Sequence, residues 1–102
     1  MGIDLRWEDE SGNQLGELLD PRALVGRLLP DFEAQDFPCL RFVDPCGDTV
    51  FNQFQIRQVV AELERLSEQR HEPEVERHLG AVLEFVRHAS DQVHTYIKFY
   101  GE

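Results

Sequence analysis

Apolar and polar residues alternate from Ile3 to Glu8: Ile3, Leu5 and Trp7 share one side of an extended chain, Asp4, Arg6 and Glu8 the other. This period of two predicts a half-buried strand over 3–8. Asp9-Glu10-Ser11-Gly12-Asn13 follows with the residues of a bulged hairpin turn, Asp at its first position and Gly where φ becomes positive. A return strand through Leu15, kept short by Gly16, completes a predicted hairpin. The turn recurs as Asp44-Pro45-Cys46-Gly47-Asp48, where Pro45 presets φ and Gly47 is expected in the left-handed region. A second hairpin is therefore predicted, with Leu40-Arg41-Phe42 in one strand and Val50 in the other.

Leu5-Arg6-Trp7, Leu40-Arg41-Phe42 and Ile97-Lys98-Phe99 each read apolar, basic, aromatic. In a strand, such a triplet aims its outer members at a core and its cation at the opposite face. Leu5 to Leu15 and Leu40 to Val50 also align residue by residue, identical at Leu, Arg, Asp and Gly. Two tandem hairpin-plus-helix units would give this match, and so would two unrelated hairpins that share a turn.

Elsewhere the period changes to that of a helix. Asp20 can cap a short helix with Pro21 at its first position, an apolar face of Leu24, Leu28 and Leu29, and a stop at Pro30. Ile56, Val59, Val60, Leu63 and Leu66 form one stripe of a longer helix starting near Asn52 or Gln53. Val75, Leu79, Val82, Leu83 and Val86 form the stripe of another, started by Pro73. The polar link over 67–72 predicts an antiparallel αα-hairpin. Val93, Thr95, Ile97 and Phe99 then alternate with His94, Tyr96, Lys98 and Tyr100 in a last strand. The expected class is α+β: one domain over 1–102, an antiparallel sheet of four to five strands, and an αα-hairpin plus one short helix packed mainly on one face.

Composition adds a single modest core, since 41% of the 102 residues are hydrophobic. Twenty acids against ten bases give a net charge of -10, which disfavours nucleic acid because phosphate binding needs a footprint of Lys and Arg. The excess lies mainly in 1–48, where eleven acids meet four bases. No cationic segment followed by an apolar stretch opens the chain, and no apolar run approaches the roughly 20 residues of a spanning helix. A cytoplasmic protein without membrane association is expected. Cys39 and Cys46 are too few for a disulfide framework or a closed zinc site, so reduced thiols are expected.

Two surfaces stand out as candidates. With the helices over Ile3, Leu5, Trp7, Leu40, Phe42, Val50, Ile97 and Phe99, the open face would carry Arg6, Arg41, Phe51, Tyr96, Lys98 and Tyr100, beside Cys39 and Thr49. Aromatics and Arg are the residue types that dominate binding interfaces, although cross-strand ion pairs with Asp4 and Glu8 would account for the same residues. The other candidate is an acidic surface of Glu8, Asp9, Glu10, Asp31, Glu33 and Asp36, suited to a basic protein partner by salt-sensitive attraction. His71, His78, His88 and His94 include no pair at i, i+4, and Glu74 with His78 and Glu84 with His88 read as surface pairs. No phosphate loop, nucleophile elbow or zinc-protease motif occurs, so no cofactor or metal is implied. These features favour a non-catalytic binding module, an adaptor or an inhibitor such as a toxin-neutralising immunity protein. Its rivals are a small-anion binder or enzyme gripping its ligand with Arg6, Arg41 and Lys98, with a hydroxyl from Tyr96 or Tyr100, and a homodimer formed through the tyrosine face or the edge of the last strand.

Overall fold

The computed structural model of the chain describes residues 2–101. Strands β1 (Asp4–Asp9), β2 (Gln14–Leu18), β3 (Asp48–Phe51) and β4 (Thr95–Tyr100) form one antiparallel sheet in the order β2-β1-β4-β3. Helices α1 (Gln53–Ser67) and α2 (Pro73–Ser90) pack on each other and against the sheet. This is the expected α+β class, with four strands.

The first hairpin forms as its residues predict. The Asp9 carboxylate accepts from the Ser11 and Asn13 backbone N–H groups at 2.9 Å and from Asn13 Nδ2 at 3.0 Å, and Gly12 takes a φ of 84°. Those donors, the Asn13 side chain foremost, hold the Asp9 carboxyl below its usual range. On the inner face Leu5, Phe51, Ile97 and Phe99 are buried, the two phenyl rings meeting edge to face at 5.7 Å. Asn52 and Gln55 make a capping box at the start of α1, Pro73 opens α2, and the two helices bury the predicted stripes, apart from Val60, which is half-buried.

The second predicted hairpin is not made. Leu40–Phe42 is a turn of 3₁₀ helix, with Arg41 N bonded to Phe37 O and Phe42 N to Cys39 O at 3.0 and 3.1 Å. Glu62 of α1, 1% exposed, accepts from Cys39 N at 3.1 Å and Leu40 N at 2.8 Å, so a buried carboxylate satisfies the donors that open the turn. Residues two apart share a face in a strand but part by about a third of a circle or more at three residues per turn. Leu40 is accordingly buried while Phe42 is exposed. The two aligned segments thus follow different backbone paths.

The turn at Asp44 closes differently too. Gly47 stays out of the left-handed region, and the Asp44 side chain packs over it, its Oδ2 2.7 Å from where a Cβ would stand. β3 leaves this turn to pair with β4, Phe51 opposite Ile97 and Val50 opposite Lys98. Phe51 is therefore a core residue and Val50 an outer one, reversing their expected faces. β4 has a neighbour on each side, so it offers no free edge for a dimer. The short helix expected from Pro21 reduces to a 3₁₀ turn, Val25–Arg27, because Ala23 adopts a φ of 55° and breaks any helix begun earlier. Asp20 still caps it, accepting from Leu24 N at 2.7 Å, Val25 N at 3.0 Å and also Ile3 N at 3.0 Å.

Candidate functional site

The outer sheet face carries Arg6, Tyr96, Lys98 and Tyr100 together, because β1 and β4 pair in the register Arg6 opposite Lys98 and Glu8 opposite Tyr96. Its cations are already engaged. Arg6 Nε lies 3.1 Å from Glu17 Oε2 and its guanidinium sits 4.3 Å from the Tyr100 ring centre. Lys98 Nζ lies 2.9 Å from Glu8 Oε1, and Tyr100 Oη donates to Glu8 Oε2 at 3.4 Å. Desolvation works against the charge on Arg6, but the Glu17 hydrogen bond and the Tyr100 contact outweigh it and raise the pKa. The Glu8 hydrogen bond likewise holds Lys98 above the usual lysine value against a smaller loss from desolvation. Arg6, Lys98 and Tyr100 thus form a cross-strand network with Glu8 and Glu17, and Tyr96 stands beside it. Phe51 is missing from this face, being inward, and so is Arg41, which left with the 3₁₀ turn.

The acidic candidates divide in the same way. Glu8 is 7% exposed and paired, Asp9 is committed to its turn, and Glu10 lies 3.4 Å from His94 Nδ1. Asp31, Glu33 and Asp36 are exposed and form no ion pair among the described residues. Neither expected His pair forms: His78 faces Asp20 at 3.5 Å while Glu74 pairs with Arg22, and His88 packs edge to face on Trp7 while Glu84 meets Arg87. Cys39 is a core thiol whose pKa is pushed up to about 11 by burial first and by the Glu62 charge second, leaving it a poor nucleophile.

Where Arg41 went is more informative. The loops Gly26–Phe32 and Arg41–Pro45 enclose a cleft of about 510 Å³, a size typical of ligand sites. Phe32 and Phe42, 65% and 53% exposed, meet edge to face at 5.6 Å. The Arg41 guanidinium lies 4.8 Å from the Phe42 ring centre and 5.5 Å from that of Phe32. It has no ion-pair partner among the described residues, and its buried Nε meets no acceptor. Leu29, Pro30, Val43 and Pro45 supply apolar wall, and Asp31 and Asp44 the negative charge. By sequence these residues fall to a loop, an expected core face and an expected open face; the run Asp31-Phe32-Glu33, an aromatic between acids, is the one local sign of the cleft.

Among the described residues, no group of three or more His, Cys, Asp or Glu is placed to hold a metal ion, and no helix is long and apolar enough to cross a membrane. Comparison with known protein families, with curated proteins and with solved structures finds no match to this chain.

Proposed function

We propose that the chain is a non-catalytic recognition module that binds a basic protein partner, as an adaptor or an inhibitor does. One observation carries this reading. Between Pro30 and Asp48 five carboxylates, Asp31, Glu33, Asp36, Asp44 and Asp48, face a single base, Arg41, and none of them forms an ion pair among the described residues. Outside this stretch, Glu8, Glu17, Glu64, Glu72, Glu74 and Glu84 each pair with a Lys or Arg. Unneutralised charge beside exposed aromatics attracts a cationic surface, and the aromatics hold it once water is displaced.

The rivals fare worse on charge. A small anion would confront five carboxylates for one guanidinium, and a second copy would bring the same net charge of -10. Two unpaired thiols accord with action in a reducing compartment such as the cytoplasm. The test is differential capture. Immobilised wild type and an Asp31→Asn/Glu33→Gln/Asp36→Asn variant are exposed to host lysate, and retained proteins are identified by mass spectrometry. A basic protein retained by the wild type, reduced by the variant and eluted well above about 0.15 M salt is expected. Retention that ignores both the variant and the salt overturns the proposal, as does no retention at all.

A further inference from the structure

We infer that the cleft between Gly26–Phe32 and Arg41–Pro45 is the docking site for an extended segment of the basic partner, anchored by an apolar side chain with Lys or Arg beside it. This rests on the reading above and adds the place and the chemistry of contact. The walls decide the kind of occupant. Leu29, Pro30, Phe32, Phe42 and Pro45 offer apolar surface, and the two prolines present no N–H for a sheet-like ladder, so side chains must carry recognition. The prolines also stiffen the rims, which lowers the ordering cost of binding.

Charge then selects the flanking residues. Asp31 and Asp44 line the cleft without an ion pair, and a Lys or Arg next to the anchor reaches them as counter-ion. Arg41 sets one positive charge against the two carboxylates of the cleft, and its guanidinium lies over the two rings. From there it suits a backbone carbonyl of an extended chain, an acceptor that brings no negative charge to an acidic rim. A peptide segment thus supplies all three groups that the cleft lacks: an apolar side chain, a cation and a neutral acceptor.

Three blocked pentapeptides are the probes: one with Phe between two lysines, one with Ala in place of Phe, and one with glutamates in place of both lysines. Titrated into ¹⁵N-labelled protein, the first is expected to shift the amides of Phe32, Arg41 and Phe42, with each of the others binding about tenfold more weakly. Phe42→Ala and Asp31→Asn/Asp44→Asn should each weaken the first peptide by a similar factor while leaving the rest of the spectrum in place, which shows that the variants fold. Equal binding by the alanine peptide, or shifts confined to other surfaces, overturns the inference. Lysate capture separates this failure from that of the broader reading. If Phe42→Ala captures the basic partner normally while the three-acid variant does not, the cleft is wrong and the module stands; if neither variant changes capture, both fall.

Discussion

Two buried carboxylates hold the irregular half of the chain. Asp20 and Glu62 each accept backbone N–H groups at the start of a 3₁₀ turn, and each is fully enclosed. Replacing the acceptor by an apolar side chain leaves those donors unpaired, which costs roughly 1–3 kcal/mol per buried group. Glu62→Leu should therefore destabilise the protein by about 3 kcal/mol in urea unfolding, where an ordinary surface Glu→Leu change stays within about 0.5 kcal/mol. Glu62 was legible in part, since it lies one turn from Val59 and Leu66 on the buried stripe, but its partners are more than twenty positions away and no local pattern names them. Cysteine chemistry follows from the same contact. At about pH 8, iodoacetamide should modify Cys46 and spare Cys39 until the chain is unfolded; equal labelling of both in the native protein would contradict the raised Cys39 value. Asp9 supplies a pH dependence of known sign. Its folded-state pKa is depressed, so its stabilising effect is complete above the unfolded value and disappears as pH falls through the folded one. Melting curves of wild type and Asp9→Asn should separate above about pH 4 and converge as pH falls below it.

At the scale of elements, what the sequence made readable depended on how far a period ran. β1, β4 and both helices repeat their pattern over two or more cycles, and they form there, except that β4 starts at Thr95 and not at Val93, because His94 takes a φ of 59° and turns Val93 out to 67% exposure. Leu40-Arg41-Phe42 offers a single cycle, too short to outweigh a buried carboxylate presented by α1. β3 was misphased for a related reason: Val50 and Phe51 are adjacent and both apolar, so alternation does not say which one points inward. Only the pairing of Phe51 with Ile97 decides it. The energetic consequence is large and asymmetric. Phe51→Ala should cost about 3–5 kcal/mol, as for other buried aromatics, while Val50→Thr should stay within about 0.5 kcal/mol. Urea unfolding of the two variants would expose an inverted strand at once, because the costs would change places.

Across the whole molecule, the acidic excess of the first half was plain from composition, but which acids remain unpaired was not, because their bases come from distant segments: Glu72 meets Arg27 and Glu64 meets Arg87. The candidate site was equally hidden, since Phe32 and Phe42 lie ten residues apart in a stretch without regular strands or long helices. If the unpaired carboxylates of 30–48 repel one another, screening should relieve them. Raising salt from about 10 mM to about 150 mM should stabilise the wild type by about 0.5 kcal/mol, roughly 2–4 °C for a domain of this size. The Asp31→Asn/Glu33→Gln/Asp36→Asn variant should gain less, and an equal gain would place the repulsion elsewhere.

The position of β4 between β1 and β3 has a further consequence, for the order in which the protein can be made. Synthesis delivers this strand after the other described elements, yet β3 has no other partner and only β4 joins it to the β1–β2 hairpin. Until it emerges from the ribosome, the nascent chain can hold no more than the β1–β2 hairpin and the helix pair, with apolar strand faces left bare. Pairing of β4 is thus the step that closes the sheet, and a stop codon placed before Thr95 should yield a chain that is degraded or aggregates.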